Sequence, residues 1–130
     1  MSLTRTTVAA LATCALAATS FSLVAAGPAH ADGPEKSQEF RFAGTEVDFS
    51  VEKHKKFHID VDLDDAAPRS RWRLVLRHDG KVVHDRTYTA NREGEVEFTT
   101  YRRNTAGKDT FKLTVRKVGG PKRYSTIVMR

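Results

Sequence analysis

Apolar residues recur at every second position through most of this chain, and almost nowhere at the three- and four-residue spacing of a helix. Val47, Phe49 and Val51 alternate with Asp48 and Ser50, and Phe57, Ile59, Val61 and Leu63 alternate with His58, Asp60, Asp62 and Asp64. Phe111, Leu113 and Val115 do the same with Lys112, Thr114 and Arg116. Successive side chains on a strand point to opposite faces, so this pattern specifies strands with one buried and one wet face. Phe40 and Phe42, Trp72 with Leu74 and Leu76, and Val96 with Phe98 repeat it, and residues 123–129 read as a terminal strand. Asp79-Gly80 fits a type I′ hairpin turn, which needs positive φ at both central positions. Direct pairing across that turn sets Leu76 opposite Val83 but Leu74 opposite Asp85, which predicts a bulge or an edge strand in residues 81–88. About eight strands linked by short turns predict an all-β fold, a small antiparallel β-sandwich over residues 39–130.

The first 31 residues follow a different logic. Arg5 supplies an early positive charge, residues 8–26 are mostly apolar and uncharged, and Gly27-Pro28 breaks the run before Ala29-His30-Ala31. That order predicts a cleavable signal peptide over residues 1–31 and a secreted protein, extracellular or associated with the cell envelope. Thr13, Thr19, Ser20 and Ser22 inside the run argue against a retained span, so the mature chain is expected to have no transmembrane segment. Residues 32–38 are polar, with Gly33 and Pro34, and read as a disordered lead-in. The sole cysteine, Cys14, lies in the leader. A mature chain without cysteine has no disulfide, no thiol nucleophile and no Cys-based zinc site, so its stability must come from an apolar core.

Removing 31 of 130 residues leaves 99, enough for one domain, expected to be a monomer. Loss of Arg5 lowers the formal net charge from +6 to +5. The distribution says more than the total. Residues 32–65 hold 5 Lys/Arg against 10 Asp/Glu, and residues 66–130 hold 16 against 6, a split of −5 and +10. Such asymmetry marks either a basic face for an anionic partner or two halves that neutralise one another. Arginine outnumbers lysine 13 to 9, which with the Ala-rich leader suggests a GC-rich bacterial gene.

Two segments carry a family likeness: Thr45-Glu46-Val47-Asp48-Phe49-Ser50-Val51, and residues 107–115, Gly-Lys-Asp-Thr-Phe-Lys-Leu-Thr-Val. They resemble strands of the pre-peptidase C-terminal type of β-sandwich found in secreted bacterial peptidases. The chain departs from that family at Trp72-Arg73-Leu74-Val75-Leu76, where an Asp-Leu-aromatic segment is usual. The resemblance implies a non-catalytic adhesion or targeting module, sometimes linked to calcium.

Three groups of residues are candidates for chemistry. Asp60, Asp62 and Asp64 share one strand face at about 6.6–6.8 Å intervals, and carboxylates so placed can help to bind Ca²⁺, which wants six to eight oxygens. The simpler reading is a solvated acidic face paired with Arg71, Arg73 and Arg77 on the next strand, with no cofactor. His54, His58, His78 and His84 lack zinc-ligand spacing and read as surface or turn residues. The basic residues are the strongest candidates: Arg71, Arg73 and Arg77 on one strand, Arg102 and Arg103 after Tyr101 at a loop, and Arg116, Lys117 and Arg123 around the last hairpin with Lys112, Lys122 and Tyr124. They suit an anionic extracellular polymer or a protein partner, through charge-assisted contacts and aromatic stacking. No nucleophile elbow, phosphate-binding glycine loop or His-Glu-x-x-His motif is present, so no enzymatic activity is expected. The function read from sequence is a secreted binding module with a basic face. The alternatives are a calcium-assisted adhesion module, or an inhibitor of a secreted hydrolase presenting residues 102–108.

Overall fold

The computed structural model describes residues 34–130; the leader, with Cys14, lies outside the described residues. Eight strands follow in order: β1 (Glu35–Phe42), β2 (Thr45–Lys53), β3 (Lys56–Asp64), β4 (Arg71–His78), β5 (Lys81–Thr89), β6 (Val96–Arg103), β7 (Asp109–Lys117) and β8 (Lys122–Met129). They form two four-stranded antiparallel sheets, ordered β1-β2-β3-β6 and β5-β4-β7-β8. The predicted sandwich is therefore present. No helix among these residues is long and apolar enough to cross a membrane.

The alternation decides which face of each strand is buried. Val47, Phe49, Val51, Phe57, Ile59, Val61 and Leu63 from the first sheet meet Trp72, Leu74, Leu76, Phe111, Leu113 and Val115 from the second. Phe57 and Phe111 touch edge to face across the two layers, with ring centroids 4.9 Å apart. Phe42 meets Trp72 similarly at 6.3 Å. Aromatic pairs in that geometry add about 0.5–1.5 kcal/mol beyond area burial.

Turn chemistry agrees with the sequence. Asp79 and Gly80 both have positive φ, 49° and 83°, as a type I′ turn requires. The strand after it carries the bulge that the mismatched pairing implied: Leu76 pairs with His84 and Arg77 with Val82, leaving Val83 as the extra residue. It is also an edge strand.

Residues 35–38 correct the sequence reading, for they are strand and not a disordered lead-in. Ser37 and Gln38 pair with Ser50 and Phe49 of β2. Lys36 and Gln38 share the parity of Phe40 and Phe42, so they lean over the core edge toward β8. There Lys36 Nζ donates to the Val128 carbonyl at 2.6 Å, Gln38 Nε2 donates to the Thr126 carbonyl at 3.0 Å, and the Ser125 hydroxyl meets Gln38 Oε1. Polar side chains here satisfy the open carbonyls of a neighbouring edge strand, work that a hydrophobicity pattern does not register.

A candidate anion-binding face

The strand order sends the charges to opposite sides of the sandwich. On the outer face of the first sheet, Glu39, Asp48, Asp62 and Glu97 stand directly opposite one another across β1, β2, β3 and β6. Glu46 and Asp64 pair on one side of that row, and Ser50 and Asp60 on the other. Like charges facing across strands destabilise a sheet, and Asp62 shows it. Partial burial, then Glu97, Asp60, Asp48 and Asp64, push its carboxyl above the usual carboxylate range. A carboxyl raised above its unfolded value near 3.9 costs stability once it ionises; that penalty shrinks as pH falls through the folded value and is gone below the unfolded one. Asp62→Asn is therefore expected to stabilise the protein by about 0.3–1 kcal/mol at neutral pH and low salt. In urea melts the gain should shrink in high salt and vanish in acid; an unchanged or lower midpoint at neutral pH would show the row to be unstrained.

The expected pairing of Asp60, Asp62 and Asp64 with Arg71, Arg73 and Arg77 does not occur. Strand β3 pairs with β2 and β6, while β4 lies in the other sheet. The chain crosses layers between the two strands, so their outer faces look in opposite directions. Asp60 instead accepts from the Thr99 hydroxyl at 2.6 Å and lies 3.3 Å from His58 Nε2.

The outer face of the second sheet is basic. Arg73, Arg116 and Lys122 lie side by side across β4, β7 and β8. Arg77 and Lys112 form a parallel pair four residues along the strand, about 13 Å away by strand rise. Between these rows run Val75, Thr114 and Tyr124, also in register. Short side chains at Val75 and Thr114 leave a depression of about 310 Å³ walled by the cations, Val82, Tyr124 and Asp85. Tyr124 is 62% exposed, and Lys112 Nζ sits 4.3 Å from its ring centroid. Asp85 is the one carboxylate lining the depression. It binds Arg73 through two hydrogen bonds of 2.8 and 2.7 Å, which hold its carboxyl below the usual carboxylate range. Arg77, Lys112, Arg116 and Lys122 have no ion pair among the described residues.

No protein-family model, curated protein or solved structure matches the chain. The pre-peptidase resemblance thus stands on the two strand segments that suggested it. The site is read from its own geometry.

That geometry divides the basic residues expected from sequence. Arg71, Arg73, Arg77 and Arg116 share the outer face of the second sheet, and Lys112 and Lys122 join them. Lys117 is half-buried at the core edge, its Nζ 5.9 Å from the Trp72 ring centroid. Arg123 lies over the Phe40 ring at 4.9 Å and donates to the Arg41 carbonyl, clasping the two sheets together. Arg102 and Arg103 are not in a loop; they end β6 in the first sheet, in register with Phe57 and Lys56. The segment beyond them is tied down as well, because Asn104 Nδ2 donates to the His54 and Lys55 carbonyls.

The histidines also differ from one another. His84 is half-buried: it stacks on Phe98 at 3.8 Å and shares a hydrogen bond with the Tyr88 hydroxyl. Burial, with Arg86 nearby, lowers its pKa. His78 is not a surface residue at all. It is 7% exposed and stacks on Phe111 at 4.4 Å, with Nε2 2.6 Å from Oδ1 of the fully buried Asp109. Burial works to raise the Asp109 carboxyl, but hydrogen bonds from Thr105 and His78 outweigh it and hold the group below the usual carboxylate range. Parity was the available signal, since His78 continues Trp72-Leu74-Leu76 and Asp109 precedes Phe111-Leu113-Val115 on the inward side.

Proposed function

We propose that this protein is a secreted, non-enzymatic binding module that takes an anionic polymer of the extracellular medium or cell envelope on the outer face of its second sheet. One observation carries the reading: two cation rows flank an open depression on one face, while the opposing face collects carboxylates. A uniformly charged surface serves solubility, with both signs interspersed. Segregated charge makes a dipole, which attracts an anionic surface and also orients the molecule against it.

Arg116 and Lys122 bind one pair of anionic groups, and Arg77 and Lys112 bind a second pair about 13 Å further on. A repeating phosphate, sulfate or carboxylate chain can supply both. The exposed Tyr124 ring offers a stacking surface for a sugar or base between them. Because the contacts are electrostatic, counterion release sets the affinity. If four anionic groups are neutralised, the polyelectrolyte relation predicts a loss of about 50–150-fold between about 50 and 200 mM salt. Binding to immobilised polyphosphate and to heparin, followed over that range, tests this. Affinity indifferent to salt, or none for either polymer at low salt, contradicts the reading.

A further inference from the structure

At the end of the sandwich where β4 turns into β5, three potential ligand atoms converge. His78, Asp79 and Asp109 each offer one, and these lie within 4.8 Å of one another. We propose that they form a binding site for a divalent transition-metal ion, with Zn²⁺ the best match to one imidazole and two carboxylates.

Each ligand is oriented by something other than a metal. The His78 ring is clamped between Phe111, stacked at 4.4 Å, and the edge of Phe57 at 6.0 Å, so its Nε2 is aimed at the carboxylates. Asp79 is set by the hairpin turn, and its Oδ1 accepts from the Thr110 amide at 2.8 Å. Asp109 Oδ1 accepts from the Thr105 hydroxyl at 2.6 Å. Such outer contacts orient the ligands at metal centres.

The second observation is an unsatisfied atom. Asp109 is 0% exposed, and its Oδ2 is buried with no hydrogen-bond partner among the described residues. A buried carboxylate oxygen without a partner is expensive, and a cation is the partner that offsets it. The 2.6 Å between His78 Nε2 and Asp109 Oδ1 is shorter than the roughly 3.4 Å between two ligands of a tetrahedral ion with bonds near 2.0–2.1 Å. The ion therefore replaces the proton joining those atoms, releasing it to solvent, and Asp109 binds through Oδ2 while Thr105 keeps Oδ1. Asp79 Oδ2, already 3.5 Å from His78 Nε2, completes the protein set. A depression of about 360 Å³ beside His78, lined also by Thr105, Tyr101, Lys56, Arg102 and Arg103, leaves room for water as the fourth ligand.

The test is Zn²⁺ titration of the EDTA-stripped protein by calorimetry and thermal melting. One ion per chain is expected, with a melting temperature about 10 °C higher at about 100-fold excess over Kd and no response to Ca²⁺. Asp79→Asn keeps both the turn, which favours Asn-Gly, and the acceptor for the Thr110 amide. It should leave the metal-free melting temperature unchanged and weaken Zn²⁺ binding at least tenfold. His58→Ala, which removes the half-buried His58–Asp60 contact on the other sheet, should leave binding intact. Failure to bind one ion, unchanged affinity in Asp79→Asn, or loss of binding in His58→Ala each overturns the assignment.

Discussion

Gly94→Ala is expected to lower the stability of the protein by about 3 kcal/mol, more than any other single glycine substitution. Gly94 has φ of +80°, where an L side chain costs about 1–2 kcal/mol. An added Cβ would also lie 2.2 Å from the Ala66 carbonyl oxygen, a backbone atom with no freedom to swing away. The position joins two of the three crossovers that carry the chain between sheets, residues 65–70 and 90–95. Ala66 N donates to the Gly94 carbonyl at 3.0 Å, Arg69 N to the Ala90 carbonyl at 3.1 Å, and Ala90 N to the Ser70 carbonyl at 2.8 Å. Making room for a methyl group pushes these segments apart and strips a bond worth about 0.5–1.5 kcal/mol on top of the φ penalty. For a domain of this size, about 3 kcal/mol corresponds to roughly 12–24 °C in Tm. Gly107→Ala separates the two contributions. Its φ is +86° but nothing lies within 4 Å of the new Cβ, so only the φ cost of about 1–2 kcal/mol applies. Equal Tm losses in the two variants would show that the crossovers part freely.

The two glycines also show where reading the sequence stops. Alternation fixes which side chains of a strand are buried, and it placed Trp72, Phe57 and Phe111 in the core because that property is local. Asp79-Gly80 was equally legible, since a two-residue turn draws its geometry from the residues in it. Gly94 stands in a polar stretch like any loop glycine, and only the approach of Ala66, 28 positions earlier, makes it irreplaceable. Strand order is non-local in the same way. Nothing in Asp60-Val61-Asp62-Leu63-Asp64 indicates that β3 pairs with β2 and β6 and not with β4, so the acidic and basic rows were set side by side when they lie on opposite faces. Parity inside a strand was legible but under-used: His78 and Asp109 occupy inward positions, and residue type drew attention to the wrong side. Lys36 and Gln38 failed for a further reason, since polar residues form a strand here by serving a neighbouring edge.

Reversing Arg116 and Lys122 together to glutamate is expected to weaken polyanion binding about 10²-fold or more. A hydrogen bond to a charged group contributes about 1.5–3 kcal/mol, so losing two removes about 3 kcal/mol or more, and 1.4 kcal/mol is tenfold in affinity. The slope of log affinity against log salt should also fall by about 2, one for each lost contact. This substitution separates binding from folding unusually well. Both residues are exposed, and they sit directly opposite one another and beside Arg73. Two glutamates there exchange a row of three cations for one of mixed sign, which cross-strand electrostatics favours, so the variant should melt no lower than the parent. Arg102→Glu with Arg103→Glu changes net charge by the same amount at the end of the other sheet, and is expected to weaken binding less than about threefold. If both pairs weaken binding equally, net charge and not this face attracts the polymer. If the Arg116 and Lys122 reversal leaves affinity intact, the polymer lies elsewhere, and the rows flanking Val75 and Thr114 serve only to keep the sheet in water.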